Sequence, residues 1–301
     1  MTSAGRVVVF APAKVNLCLH VGNRRADGYH ELESLVAFAA LADEIRLERD
    51  DDFSLSVSGP FGAAISAGED NLALRAARLL ARKTGADSRA RIHLEKNIPV
   101  AAGLGGGSAD AAAVLRGLAR LWNVNPAPAT LHEVAASLGA DVPVCLDSAP
   151  AWMEGKGEHL KPLPPLPTLH LLLVNPGVPV STAQVFASLR QRRGVGVDFP
   201  RMPFSDISSF VSFLRSTTND LEEPARAIAP VIGDILEEIT LLSGVLLARM
   251  SGSGATCFGV FDSKSIMEAA MTSLLDRHPE WWLVGSALAA SSAGTPLFLR
   301  P

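Results

Sequence analysis

The stretch Ile98 to Leu115, "IPVAAGLGGGSADAAAVL", places four glycines in the five positions from Gly103 to Gly107 and then runs into alanine, valine and leucine. Strand, glycines and helix in that order make a site for an anion. Glycines let a phosphate approach the backbone, and the free N–H groups at the helix start bind it with no side chain. The positive end of the helix dipole, about half an elementary charge, assists them. Two familiar phosphate loops are excluded. No Gly-Lys-Ser/Thr follows, and Ser108 stands where a GxGxxG pattern needs its third glycine. Ser108 is instead placed to cap the helix. A tight turn would also use glycine, but four in five residues exceed what a turn needs.

A triphosphate on such a loop needs fixed cations or magnesium as well, and the loop has neither. Lys96 lies just before it. Lys14 lies in "APAKVNLCLHV" (Ala11 to Val21), where strand alternation puts Lys14, Asn16 and Cys18 on one face and Val15, Leu17 and Leu19 on the other. Asp141, before Val142-Pro143, reads by itself as the start of a turn. Tyr29, the only tyrosine, adjoins His30. The remaining histidines are scattered and suggest no metal cluster.

The elements that must position these groups are legible in outline. Val7 to Phe10 and Val15 to Val21 read as strands. Ile45 to Glu48 and Phe53 to Val57 read as a hairpin about Asp50-Asp51-Asp52. Asn71 to Thr84 is a helix stopped by Gly85, Arg91 to Glu95 a strand and Ser108 to Trp122 a helix. Thr130 to Leu138 is a helix opened by a Thr130/Glu133 capping box and closed by Gly139. "PLPPLP" (Pro162 to Pro167) cannot be interior helix or strand and is the expected boundary between domains 1–162 and 163–301. Beyond it come the strand Leu169 to Val174, a helix near Thr182 to Gln191, an irregular tract to Thr218 and a helix from about Asn219-Asp220. Strands Val245 to Met250 and Thr256 to Phe261 flank "SGSGA", and a helix spans Lys264 to Arg277. Strands and helices mix without regular alternation, which favours α+β.

Composition narrows the partners. The chain has 301 residues, 48% of them apolar and 19% charged, with a formal net charge of -4. That excludes wholesale disorder and offers no broad basic surface for nucleic acid. Cys18, Cys145 and Cys257 show no metal or disulfide spacing, and no apolar stretch reaches membrane-spanning length. A soluble cytoplasmic protein with small-molecule partners is expected, as a monomer or homodimer.

"APAKVNLCLHV", "DGYHELES" (Asp27 to Ser34), "IPVAAGLGGGSADAA" (Ile98 to Ala112), "GADVP" (Gly139 to Pro143), "NDLE" (Asn219 to Glu222) and "SGSGATCF" (Ser251 to Phe258) together resemble the ordered motifs of the GHMP small-molecule kinases. The likeness runs from Ala11 to Phe258. It implies a two-domain GHMP kinase fold: an N-terminal ribosomal-protein-S5-like domain, a C-terminal ferredoxin-like domain and an active site in the interdomain cleft. It also implies ATP as co-substrate with Mg2+, and transfer of the terminal phosphoryl group to a hydroxyl.

Residue by residue, the resemblance makes Lys14 and Asp141 the catalytic pair. Pro99, Val100, Ala101, Ala102, Gly103, Leu104, Gly105, Gly106, Gly107, Ser108 and Ala109 would cover the triphosphate, with Lys96, Asn71 and Leu72 bordering the adenosine or phosphates. Ser108 is either a helix cap or also a hydroxyl for magnesium or the phosphates. Lys-x-Asn together with Gly-Tyr-His resembles members whose acceptor is a cytidine-diphosphate-linked polyol. There Tyr29 would stack on cytosine, His30 bond its polar edge, Phe186 supply the opposite face and Asn16 contact the same substrate. A kinase for mevalonate, homoserine or a sugar, or a nucleotide-binding protein without transfer activity, are the alternatives. A dehydrogenase fits least, lacking the third glycine.

Overall fold

The computed structural model describes residues 5–86, 88–189, 196 and 204–288. Its first two strands, β1 (Arg6–Arg24) and β2 (His30–Asp50), form one long antiparallel hairpin. The two strands expected within Val7 to Val21 are a single strand, because Pro12 sits at a bulge between Pro12 and Lys14 that absorbs its missing N–H. A second irregularity between Asn16 and Cys18 breaks the expected alternation. Lys14 and Asn16 face the cleft described below, whereas Cys18 is buried in the same cluster as Val15 and Leu17.

The far edge of β2 is divided. Leu32–Val36 pairs with β5 (Ala151–Gly155), and Glu44–Asp50 pairs with β4 (Arg89–Glu95). Between them β2 is bonded by other parts of the chain: Asp43 Oδ1 accepts from the N–H groups of Asn97 and Ile98, and Ala40 N–H donates to Ser286 Oγ. β3 (Ser54–Ser58) pairs in parallel with β4, so the hairpin expected about Asp50-Asp52 is not formed. The reason is competition: β4 already occupies that edge of β2, and a two-residue alternation names a strand without naming its partner. β6 (His159–Pro162) completes this sheet beside β5.

The helices on it are α1 (Leu72–Thr84), α2 (Gly106–Trp122), α3 (Pro128–Leu138) and α4 (Val142–Asp147). Asn71 caps α1 by accepting from Ala73 N–H, and Gly85 ends it in the left-handed region. Such a cap is worth about 1 kcal/mol. α2 begins two residues before the expected Ser108, with Gly105 at its N-cap and no side-chain cap, so Ser108 lies in the first turn. The expected Thr130/Glu133 box is also not used. Pro128, with φ already helical, starts α3 two residues earlier after Ala127.

Residues 163–169 carry no helix or strand and join the two sheets, with Leu163 and Leu166 packed on a buried cluster. The second sheet runs β10–β7–β9–β8 and is antiparallel, from β7 (His170–Asn175), β8 (Leu247–Met250), β9 (Cys257–Phe261) and β10 (Trp282–Ala287). That order, with helices between β7 and β8 and between β9 and β10, is the split βαβ plan of a ferredoxin-like unit. α5 (Thr182–Ala187) stops short of the expected Gln191, which lies outside the described residues. α6 (Ile207–Ser216) occupies part of the tract expected to be irregular, and α7 (Glu222–Ile228), α8 (Val231–Thr240) and α9 (Lys264–Arg277) follow.

Each sheet carries its own apolar cluster. A third, with Val15, Leu17, Leu35, Leu171, Leu173, Phe210 and Phe258, lies between them. Among the described residues no helix is long and apolar enough to cross a membrane.

Candidate active site

The two glycine loops meet backbone to backbone. Ser251 Oγ donates to Gly103 O at 2.9 Å, accepts from Asn16 N–H at 3.1 Å, and Thr256 N–H donates to Ala102 O at 3.1 Å. Gly103 has φ +74°, and a Cβ on it would lie 2.3 Å from Ser251 O. Only glycine fits there. "SGSGA" therefore braces the first loop, and Asn219 braces "SGSGA" in turn through bonds from Nδ2 to Met250 O and Gly252 O.

Gly105 opens α2 at φ +62°, and a Cβ there would press on the Lys14 side chain at 3.3 Å. Lys14 N–H donates to Leu104 O, so β1 runs against the loop and sends its ammonium along it. Gly107 differs: a Cβ would meet nothing nearer than Leu72 Cδ1 at 3.8 Å. Its lack of a side chain leaves room above the helix start rather than relieving a clash.

Lys14 Nζ lies 2.7 Å from Asp141 Oδ2. Asp141 precedes α4 and makes no side-chain cap, which leaves its carboxylate for Lys14. Arg116 holds α4 in place: its guanidinium donates to Cys145 O, Leu146 O and Phe10 O, tying the end of α4 to β1. Desolvation pushes Arg116 down to about 10, still charged at neutral pH. No local pattern marks Arg116 for this role, because it looks like any arginine on a helix.

Two adjoining cavities meet at Asp141, and Lys14 lines the first of them. One, of about 410 Å³, is lined by Lys14, Asn16, Leu72, Lys96, Asp141, Thr182, Ser253 and most of the glycine loop. The other, of about 720 Å³, is lined by Arg24, Tyr29, His30, Lys156, Phe186 and again Ser108, Asp141 and Thr182. Leu104 and Ala109 are buried beneath the loop, and Asn71 caps α1; none of these three lines either cavity.

Asn16 Nδ2 donates to Ser34 Oγ, whose own proton goes to Cys18 O. That chain turns the amide oxygen toward the cleft, where Oδ1 is buried with no hydrogen-bond partner. Tyr29 is 54% exposed, with Lys156 Nζ 5.1 Å from its ring centroid. Phe186 lines the larger cavity together with Tyr29 and His30. It stacks on His30 at 5.5 Å and 26°, so these two rings form one wall and Tyr29 another. Lys96 is also not a free cation: it is buried and paired with Asp43 and Asp110.

Sequence reasoning missed Asp43, Arg116, Lys156, Thr182 and Ser253. Thr182 and Ser253 join their hydroxyls at 2.7 Å on the cleft wall formed by the second sheet's elements. No local pattern marks them, since their meeting depends on how α5 packs against the "SGSGA" loop. The three cysteines are buried and free; burial pushes the Cys18 thiol up to about 11 and the Cys145 thiol up to about 12.

A sheet-and-helix unit carrying a glycine-rich loop, closed by a ferredoxin-like unit whose small-residue loop docks on it, is the architecture of a small-molecule kinase superfamily. Residues 71–150 match the GHMP kinases N terminal domain and residues 204–278 the GHMP kinases C terminal domain. The chain belongs to the GHMP kinase family. It is 48% identical over 286 residues to the 4-diphosphocytidyl-2-C-methyl-D-erythritol kinase of Parvibaculum lavamentivorans, covering 94% of this chain and 99% of that one. It is 46% identical over 297 residues to the enzyme of the same name from Rhodospirillum rubrum, covering 99% and 97%. A crystal structure of 4-(cytidine 5'-diphospho)-2C-methyl-D-erythritol kinase superposes with a TM-score of 0.73 at 36% identity, covering 94% of this chain and 99% of that one. Homoserine kinase from Cytophaga hutchinsonii shares the fold, with a TM-score of 0.72 at 16% identity over 95% of each chain.

Proposed function

We propose that this protein transfers the terminal phosphoryl group of ATP to the 2-hydroxyl of 4-diphosphocytidyl-2-C-methyl-D-erythritol, a step toward isoprenoid precursors. The observation that carries this reading is that Asp141, paired with Lys14, lines both cavities. A nucleotide seated on the glycine loop and an acceptor seated by Tyr29 and His30 would bring phosphorus and hydroxyl together there. Residues 1–162 and 163–301 serve on this reading as the two halves of the cleft.

Phosphoryl transfer is loose, so positioning and electrostatics carry most of the rate. Asp141 orients the acceptor hydroxyl and receives its proton as the new bond forms. Lys14 pairs with that carboxylate and offsets charge on the transferring group. Asn16 Oδ1 accepts a hydrogen bond from an acceptor hydroxyl, and Thr182 and Ser253 face the same region from across the cleft.

For the acceptor, Tyr29 supplies a stacking face for cytosine and the His30–Phe186 wall bounds the base. Such stacking is worth about 1–3 kcal/mol. Arg24 and Lys156 put two cations on the acceptor cavity, suited to a diphosphate. Among the described residues no cluster of three acidic, histidine or cysteine side chains forms a metal cage. Ser108 and Asp141 nevertheless offer the oxygen ligands that suit magnesium, which typically takes one or two protein oxygens and completes its shell with phosphates and water. Magnesium would supply charge neutralisation on the phosphates.

The test is ADP release with Mg-ATP and, separately, the cytidylyl methylerythritol, mevalonate, homoserine and galactose. Turnover with the cytidylyl compound alone supports the reading. Turnover with another acceptor keeps the kinase and removes the base pocket. ATP binding without turnover in any mixture leaves a nucleotide-binding protein.

A further inference from the structure

Arg116 stands where three parts of the site are joined. It lies on α2, the helix whose first residues belong to the glycine loop, about 15 Å along the axis from Gly106. Its Nη1 donates to Cys145 O at 2.7 Å and to Leu146 O at 3.0 Å, and its Nη2 donates to Phe10 O at 3.0 Å. Cys145 and Leu146 belong to the end of α4, the helix that Asp141 precedes. Phe10 belongs to β1, the strand that carries Lys14. One planar guanidinium thus bonds at once to the helix behind Asp141 and to the strand behind Lys14. All three acceptors are main-chain carbonyls, so what it holds is backbone.

α4 needs such a hold. It spans six residues, and a helix that short does not maintain itself in water. The last carbonyls of any helix have no partner inside it. Arg116 takes two of them here, helped at one by Ser148 Oγ, which also donates to Cys145 O. The cation also lies at the negative end of the helix dipole. Asp141 makes no side-chain cap, so the placing of α4 decides where its carboxylate meets Lys14 Nζ. On β1 a bulge between Pro12 and Lys14 separates the bonded Phe10 from the lysine. Arg116 is therefore a tie between α4 and β1 that does not involve the Asp141 carboxylate.

We infer that Arg116 is a positioning residue for phosphoryl transfer: it fixes α4 against β1 and so sets the Asp141 carboxylate at the place where the acceptor hydroxyl meets the terminal phosphoryl group. The inference rests on the kinase reading of the Lys14–Asp141 pair. Arg116 lines neither cavity and acts only through the backbone it bonds. Transfer between two held molecules depends steeply on geometry, and a displacement of about 1 Å costs up to about 10²-fold. Binding is supported elsewhere. The glycine loop is braced by Ser251 and Thr256, and Tyr29 and His30 stand at the turn between β1 and β2. Loss of Arg116 must therefore fall on kcat rather than on either KM.

The experiment is a double-mutant cycle in steady-state ADP release, with Mg-ATP and the cytidylyl methylerythritol. It uses the full chain as wild type, Arg116→Met, Asp141→Ala and the combination, at a temperature where circular dichroism shows all four folded. Arg116→Met is expected to lower kcat by about 10- to 10²-fold while both KM values stay within about threefold of wild type. With Asp141 reduced to alanine no carboxylate is left to place, so the same substitution should there cost less than about threefold. An equal factor in both backgrounds, a loss carried by KM alone, or an unchanged kcat in Arg116→Met overturns the inference while leaving the kinase reading intact. A wild type that releases no ADP overturns the kinase reading and the inference with it. Should the methionine variant not fold, Arg116→Lys, which keeps the charge without the planar fork, replaces it in the same cycle and is judged by the same outcomes.

Discussion

Lys14 and Asp141 are 2.7 Å apart, yet the lysine side chain is 5% exposed and the aspartate 36%. The ammonium is covered by the loop it runs along, and the carboxylate alone is open to an incoming molecule. That asymmetry separates their roles: the aspartate meets the acceptor, and the lysine acts through the aspartate and the transferring phosphoryl group.

Asp141→Asn and Lys14→Met should each lower kcat by about 10²- to 10⁴-fold while thermal unfolding still reports a folded chain. Steady-state ADP release measures this. Near-normal turnover in either variant removes that residue from the mechanism.

Tyr29→Ala removes a half-exposed ring with the Lys156 ammonium over its face. Stability should change little, and the KM for the cytidylyl acceptor should rise by about one to two decades with that for ATP nearly unchanged. An equal rise in both KM values would place Tyr29 outside acceptor recognition.

The glycines separate by what each would strike. Gly103→Ala drives a methyl into Ser251 O from a left-handed backbone, so the melting temperature should fall by several degrees along with activity. Gly107→Ala meets no protein atom within 3.4 Å. Its stability should be kept while the KM for ATP rises, if a phosphate comes close to that atom. Melting curves beside nucleotide KM values distinguish the two.

Asp110 makes the stability of the folded chain depend on pH. Its folded-state carboxyl is raised, to about 7, above the ordinary value of 3.8. Between those values the folded chain holds more protons than the unfolded one, so stability falls as pH rises through this window. The penalty is absent at low pH and complete above about 7. Asp110→Asn should therefore look progressively better relative to wild type from pH 5 to pH 8, in melting temperatures of the ligand-free protein.

Much of the site was legible because its signals are local. Four glycines before an alanine-rich helix announce a backbone anion site, and Lys-x-Asn on a strand announces two polar groups on one face. Asn71 and Gly85 bound α1 because cap and stop act within a turn. The hairpin about Asp50-Asp52 and the Thr130 cap were misread for the complementary reason. β3 was lost to a competitor for the same strand edge, and Pro128 pre-empted Thr130 as the helix start.

The sequence by itself determined the chemistry available: a loop without side chains, a lysine and an asparagine two residues apart on a strand, and an aspartate before a proline turn. Only the tertiary structure decided how those groups are charged and aimed. It seated Lys14 on Asp141, withdrew Lys96 into a pair of acids, and closed Phe186 on His30. It also set Asp43 under the loop from a segment that carries no motif. Ionic and stacking contacts between residues far apart in the chain depend on which strand edge is free and which helix packs where, and those outcomes belong to the whole fold rather than to any local spacing.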